Sequence, residues 1–539
     1  MRQELEQTVV AACKDLFDAR VTVSLTRPDE QFGDYATNVA LQLGNQLDKK
    51  PREVAEAIES KLNHPAIQSV AVAGPGFLNI TLTDEALVKV AEKQPANNLK
   101  GQEILVEFGD PNPFKSMHIG HLYSYIVGDA ICSLLETAGA TVRRLSYHGD
   151  VGLHVAKAIW GMQQGGYDSA AANDSKKNDV GLFYVQGAKA YESNENAKKQ
   201  IDEINQLVYA KDASIQGLYT EGMERSFDNF KETLETLGIK NDKSYLESES
   251  AELGLETVRQ NTGKVFTESD SAIVYEGEKV GLHTRVFITG KGLPTYETKD
   301  LGLTELKKRD YPNATRSIII TANEQAEYFK VMLAALKEID PELADKTKHL
   351  THGFVSLSSG KMSSRTGDVY NAATLIEDVH EAMEKLHPGS PKDHKIGAIR
   401  YAFVKHRLGG DLVYDVDESV SLEGNSGPYL QYAHARARSI LNKSTGQAGT
   451  LEKLQPGERS LLRKIGEYPE TVESAVAELL PSYIATYLYE LAQTFNRFYE
   501  NNRVIGDARE VVRLGLVQRY ADTLKAGLEL LNIPAPERM

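Results

Sequence analysis

The sequence predicts a multidomain protein: a Rossmann-type α/β domain with insertions, preceded by a small N-terminal α/β domain and followed by an all-α C-terminal domain. Three observations support that architecture. The length, 539 residues, exceeds what one hydrophobic core serves, and a prior of roughly 150 residues per domain gives about three or four domains. A strand, a helix and a second strand follow one another over residues 103–147, and an apolar strand at 317–321 resumes that alternation after a long interruption. From about residue 395 onward, apolar residues recur at three- and four-residue spacing with few strand-like runs.

Taken in order, the first 95 or so residues open on an apolar-periodic stretch and continue into a helical run expected over residues 34–62. Val70 and Val72 then alternate with small or polar residues, and Gly74-Pro75-Gly76 makes a turn before a strand carrying Phe77, Leu78 and Ile80. Residues 93–102 (KQPANNLKGQ) have little to bury and read as a linker. The βαβ unit comprises a strand at 103–108, a helix at 117–138 and a strand at 141–147. The charged stretch at 156–256 reads as a helical insertion between two halves of one doubly wound sheet, followed by strands in AIVYEG and HTRVFIT. The expected domains are residues 1–97, 98–385 and 386–539.

Composition narrows the function class. Hydrophobic residues at 41%, charged residues at 25% and a mean hydropathy of −0.38 are ordinary for a globular protein. There is no run of 18 apolar residues, and the N-terminus lacks an apolar leader with a cleavage site. A cytoplasmic protein without a membrane partner is expected. Cys13 and Cys132 are too few for a disulfide framework or a Cys-rich zinc site and read as buried apolar residues. A net charge of −15 excludes indiscriminate coating of nucleic acid, yet leaves room for a local basic face that reads one RNA.

Two segments carry chemistry. The first, Pro111-Asn112-Pro113-Phe114-Lys115-Ser116-Met117-His118-Ile119-Gly120-His121, lies between the first strand and its helix. Two histidines at i and i+3 of a first helical turn share a face, the helix N-terminus favours a phosphate chain, and Gly120 admits a flat base or sugar close to the backbone. That combination describes an ATP site built without a P-loop. A lone pair of helical histidines is more often structural; its place after a strand and at a helix start favours the functional reading. The second segment, Ser359-Gly360-Lys361-Met362-Ser363-Ser364-Arg365-Thr366-Gly367, is a small-residue loop with two cations and several hydroxyls, able to close over phosphates or, on its own, to be a solvated basic turn.

Together these blocks resemble the two signature motifs of the class I aminoacyl-tRNA synthetases. Further blocks resemble the arginine family among them: Asn112 and Lys115 before the histidines, Tyr296 and Asp300 in PTYETKD, Gly-Pro-Gly-Phe at 74–77, Gln431-Tyr-Ala-His-Ala-Arg436, and the C-terminal PAPERM. The match spans essentially the whole chain. It implies ATP and Mg²⁺ as cofactors, L-arginine and tRNA(Arg) as partners, a monomer, and a C-terminal helical domain that binds the anticodon. The N-terminal domain is expected at the tRNA elbow, and bound tRNA is expected to be needed before arginine is activated.

The resemblance assigns His118, His121, Lys115, Lys361 and Arg365 to charge on the departing pyrophosphate. His118, Gly120, His121, Lys361 and Met362 are assigned to ATP. Asn112, Glu247, Tyr296, Asp300 and Gln325 are assigned to arginine, whose planar fork pairs bidentately with carboxylates. Gln431, Tyr432, His434 and Arg436 on one helix are assigned to tRNA, as aromatic and cationic groups that stack on and pair with single-stranded bases. No protein metal site is expected. Four departures stand out: Asp110 for the leading Ser, Tyr123 for an Arg, Asp150-Val-Gly-Leu-His154 for Asp-Trp-Gly-x-Gln, and Ser364 for the second lysine of the loop, whose task falls to Lys115. Competing readings are another enzyme of the same superfold and a catalytically inactive tRNA-binding paralogue.

Overall fold

The structure is a computed structural model that describes the chain except residues 166–179, 359–369, 445–448, 450, 452 and 539. The N-terminal domain comprises α1 (Arg2–Phe17), β1 (Tyr35–Thr37), α2 (Val39–Leu47), α3 (Pro51–Lys61), β2 (Ile67–Ala73), β3 (Phe77–Leu82) and α4 (Asp84–Ala91). Its strands form an antiparallel sheet in the order β1-β3-β2. The single helix expected over residues 34–62 is therefore a strand and two helices. Asp48 adopts a left-handed conformation, φ 53°, that ends α2, and Pro51 occupies the first turn of α3, where a missing N–H goes unnoticed.

The central part contains β4 (Glu103–Glu107), α5 (Ile119–Thr137), β5 (Thr141–His148), α6 (Leu153–Gln163), α7 (Val180–Ser193), α8 (Glu195–Tyr209), α9 (Gln216–Leu237), β6 (Lys243–Leu246) and α10 (Glu247–Gln260). It continues with β7 (Thr267–Ser269), β8 (Ala272–Tyr275), β9 (Arg285–Ile288), α11 (Tyr296–Asp310), β10 (Ala314–Ala322), α12 (Ala326–Ile339), α13 (Pro341–Lys346), β11 (Thr347–His352), β12 (Val355–Leu357) and α14 (Ala372–Leu386). Five parallel strands make one sheet in the order β11-β10-β4-β5-β6. Strand order reverses beside β4, so a crevice opens at the carboxyl ends of β4 and β10, the switch point of a doubly wound sheet. The expected insertion at 156–256 is thus shorter: β6 inside it is a sheet strand, hidden in the sequence because four residues are too few to display a period.

The C-terminal part holds α15 (Lys392–Val404), β13 (Leu412–Tyr414), α16 (Val416–Ser419), α17 (Gly427–Lys443), α18 (Pro456–Ile465), α19 (Tyr468–Glu478), α20 (Ser482–Asn501) and α21 (Glu510–Leu530). It is helical apart from β13, which pairs with β12. Buried and half-buried ion pairs join it to the rest. Arg459 and Arg463 reach Asp34 at the start of β1, and Arg400 on α15 reaches Asp129 on α5. Cys13 and Cys132 are free and buried, and burial pushes the Cys13 thiol up to about 11.

Candidate active site

The loop from β4 to α5 is shaped by its own side chains. Gly109 has φ 90°, and a Cβ there would lie 2.3 Å from the Tyr125 ring, so the loop passes directly over α5. Asp110 accepts from the Tyr147 backbone N–H at 2.7 Å and from the Ser146 hydroxyl at 3.2 Å, tying the loop to the end of β5. Burial and the nearby Glu107 hold its carboxyl well above the usual carboxylate range. Asn112 Oδ1 accepts from Gly149 N–H at 2.9 Å, bridging to the segment after β5.

The two histidines do not both project from a helical turn as expected. His118 precedes α5 as its N-cap: its Nδ1 accepts from Gly120 N–H at 3.1 Å and His121 N–H at 3.3 Å, while His121 Nδ1 accepts from His118 N–H at 3.2 Å. The imidazoles stack, centroids 3.5 Å apart. Gly120 makes this possible, since a Cβ there would sit 3.0 Å from the His118 ring. With both Nδ1 atoms accepting, each neutral ring carries its proton on Nε2. Burial lowers the His118 pKa to about 4 and that of His121 well below its ordinary value, with Lys115 adding to both. The pair is therefore a set of neutral Nε2–H donors rather than cations.

The positive charge comes from Lys115, half-buried, with Nζ 4.9 Å from the Tyr184 ring centroid. Lys361, Met362 and Arg365 lie outside the described residues. The chain that follows them is fixed beside His118: Ile119 N–H donates to Tyr370 O at 3.0 Å and Ala372 N–H to Met117 O at 2.8 Å.

A second cluster lies across the crevice. Buried Asp150 accepts from the Ser248 N–H at 2.9 Å, the Ser248 hydroxyl at 2.6 Å and the Tyr219 hydroxyl at 2.8 Å, which pins the start of α10 and with it Glu247. His154 Nε2 bonds the Gly149 carbonyl at 2.8 Å. The departing residues Asp150 and His154 thus both brace the Gly149 and Glu247 wall. A Cβ on Gly149 would meet Asn112 Oδ1 at 2.6 Å and Glu247 Oε1 at 3.2 Å, so those two groups converge.

Tyr296 and Asp300 share the first turn of α11, Tyr296 exposed and Asp300 buried. Burial first, then Glu107, holds the Asp300 carboxyl well above its ordinary value. Tyr328 links Asp300 to Gln325, donating to Gln325 Oε1 at 3.2 Å. The sequence reading missed Tyr328 and also Lys299, whose Nζ donates to Glu247 Oε2 at 2.6 Å. Its only signal was adjacency to Asp300.

The helix expected to meet RNA divides. Gln431 is fully buried and donates to the carbonyls of Asp393 and Pro534 at 2.9 and 2.8 Å. His434, also buried, bonds Pro536 O at 2.8 Å. Both hold the C-terminal segment on α17 and are not a nucleic-acid surface; the expectation is corrected for these two. Tyr432 and Arg436, one turn apart, are exposed, with Arg436 stacked 4.7 Å from the Tyr499 ring centroid. Tyr123 is core, packed between His352 and Phe403 with ring centroids 5.0 and 5.5 Å away.

A doubly wound parallel sheet with a histidine-capped helix at its switch point, in a chain ending in a helical domain, is the architecture of the class I tRNA synthetases. The family model described as "tRNA synthetases class I (R), catalytic domain" matches residues 83–396, that of the "Arginyl tRNA synthetase N terminal domain" residues 2–82, and that of the "DALR anticodon binding domain" residues 430–539. The chain is 30% identical to an arginine–tRNA ligase of Treponema denticola, covering 98% of this chain and 96% of that protein. It is 29% identical to one of Flavobacterium psychrophilum, covering 92% and 89%. The solved arginyl-tRNA synthetase of Thermus thermophilus superposes over 100% of both chains with a TM-score of 0.85 at 27% identity. The chain belongs to the arginyl-tRNA synthetase family.

Proposed function

We propose that the crevice at the ends of β4 and β10 is where this chain activates L-arginine with ATP and passes the arginyl group to tRNA(Arg). The observation that carries the reading is the reciprocal cap at the start of α5, which aims two neutral Nε2–H donors from a helix N-terminus in a buried site. The arginine carboxylate attacks the α-phosphorus in line and pyrophosphate departs; a terminal ribose hydroxyl of the tRNA then attacks the adenylate carbonyl and AMP departs. Little covalent chemistry falls to the protein, so positioning and charge stabilisation carry the rate.

In this reading His118 and His121 donate to phosphate oxygens, Lys115 supplies the nearby cation, and Lys361, Met362 and Arg365 complete the ATP contacts beside Gly120. Asp300, Glu247 and Tyr296 face the guanidinium, and Asn112 and Gln325 the amino and carboxylate groups. Among the described residues no group of three or more His, Cys, Asp or Glu side chains could hold a metal ion. The donors at the head of α5 are imidazoles and an amine, whereas Mg²⁺ takes oxygen ligands. A resident Mg²⁺ does not fit there, and the ion enters on the ATP phosphates as part of the substrate.

Tyr432 and Arg436 contact tRNA in the C-terminal domain, residues 386–539, while residues 1–97 meet the tRNA elbow and 98–385 hold the catalytic crevice. The chain acts as a monomer in the cytoplasm; among the described residues no helix is long and apolar enough to cross a membrane. The test is ATP–pyrophosphate exchange with each amino acid in turn, with and without tRNA. Exchange with arginine alone, dependent on tRNA, is expected. Lys115→Ala should slow adenylate formation more than it weakens tRNA binding, and equal losses in both would remove Lys115 from the catalytic set.

A further inference from the structure

The carboxylate assigned to the substrate's guanidinium already holds a cation. Lys299 Nζ donates to Glu247 Oε2 at 2.6 Å, with side-chain exposures of 8% and 11%. Glu247 is the only hydrogen-bond acceptor for that ammonium among the described residues; the Tyr209 hydroxyl and the Tyr296 ring, the latter 5.3 Å away, lie nearby without bonding it. A protein chain rarely buries a carboxylate unpaired, so an empty pocket needs something at Glu247. A second cation arriving at the same oxygen meets like charge at short range in a water-poor site.

We propose that Lys299 is a tethered stand-in for the substrate: it occupies Glu247 in the empty pocket, and the arginine guanidinium must displace it to bind. The proposal rests on Glu247 being part of the arginine site. A guanidinium has what the displacement requires. Its planar fork gives two parallel hydrogen bonds to one carboxylate, whereas the ammonium gives a single point contact. Lys299 sits one residue before Asp300 on the first turn of α11, on a flexible four-carbon stem, so it can swing away without unwinding the helix.

A stand-in of this kind multiplies every substrate's apparent dissociation constant by the same factor, the reciprocal of the fraction of enzyme with Glu247 free. Removing it tightens arginine binding, leaves the chemical step alone, and does not alter the ratio of arginine to lysine binding. A lysine that merely props up Glu247 would do the opposite on removal.

The experiment measures KM and kcat for arginine, and KM for lysine as a weak competing substrate, in tRNA-dependent pyrophosphate exchange. The variants are Lys299→Met, Lys299→Gln and Glu247→Gln. The expected result for both Lys299 variants is a KM for arginine lowered by about tenfold, the effect of an enzyme whose competent fraction is about one in ten. The KM for lysine should fall in parallel, with kcat within twofold. An unchanged or raised arginine KM in Lys299→Gln, which keeps a neutral donor to Glu247, overturns the stand-in role. Should Glu247→Gln leave arginine KM unchanged, the assignment of the arginine site itself fails and the stand-in with it. A raised KM in Glu247→Gln alone keeps the site and isolates the Lys299 result.

Discussion

Asp129→Ala should cost more stability than any single change at the surface, because one carboxylate ties four segments together. Asp129 Oδ2 accepts from Arg400 Nη2 at 2.5 Å and Asn532 Nδ2 at 2.8 Å, and Oδ1 from Arg144 Nε at 3.1 Å. Arg400 has no exposed surface and is left, after the substitution, with only the carbonyls of Leu237 and Leu531, 3.0 and 3.2 Å away. An uncompensated buried charge costs about 3–5 kcal/mol. Arg144 keeps Glu136 and lies nearer water, so its loss adds under about 1 kcal/mol. At a denaturant slope of about 3 kcal/mol per molar urea, the transition should move down by about 1 M or more. The assay is urea unfolding followed by tryptophan and far-UV signals, with pyrophosphate exchange read across the same range. Asp129 lies on the helix whose first residues carry the histidine cap, so exchange activity should fail at the same lowered urea concentration. Asp129→Leu combined with Arg400→Met removes both charges and should recover most of the loss. A shift under about 0.3 M for Asp129→Ala, or a double variant no more stable than the single, would refute the reasoning.

The remaining predictions concern the two ends of the reaction. His118 has its pKa lowered to about 4, below the ordinary histidine value; its stabilising contribution is complete above about pH 6.5 and is lost as pH falls toward 4. The pyrophosphate-exchange rate at saturating substrates should therefore show no His118-dependent acid limb near pH 6.5, which a pH profile of the wild type against His118→Asn would check. Asp300 is shifted the other way, its carboxyl raised by burial first and then by Glu107; a guanidinium binds the ionised form, so arginine KM should rise as pH falls through that raised value, and Asp300→Asn should flatten the dependence. Gln431→Ala should cost about 1–3 kcal/mol by removing two hydrogen bonds made by a fully buried amide, with tRNA affinity changed only through stability. Tyr432→Ala and Arg436→Ala should stay within about 0.5 kcal/mol in unfolding yet raise the KM for tRNA.

What could be read from the sequence followed from periodicity and from motif order. The strands at Glu103–Glu107 and Thr141–His148, the helix between them and the resumption at Ala314–Ala322 all have the length and apolar content that reveal a period. Hence the doubly wound sheet and the place of His118 were legible. So was the shared turn of Tyr296 and Asp300, since spacing along a helix needs no tertiary information. What failed did so where a residue's role depends on something distant in sequence. His118 looked like a member of the helix, and only the reciprocal bonds with His121 made it the cap and fixed both tautomers. Gln431 and His434 had the chemistry of an RNA surface, but the segment they bind, Pro534 to Pro536, is over a hundred residues away. Lys299 had no signal beyond its adjacency to Asp300 until α10 delivered Glu247 to it. Gln431 and His434 were assigned outward when backbone partners inside the fold had claimed them, and Lys299 was passed over although a buried carboxylate holds it. Burial, not residue chemistry, separates the exposed Tyr432 and Arg436 from their buried neighbours Gln431 and His434 on α17, which is why the tRNA measurement is aimed at the first pair and the unfolding measurement at Gln431.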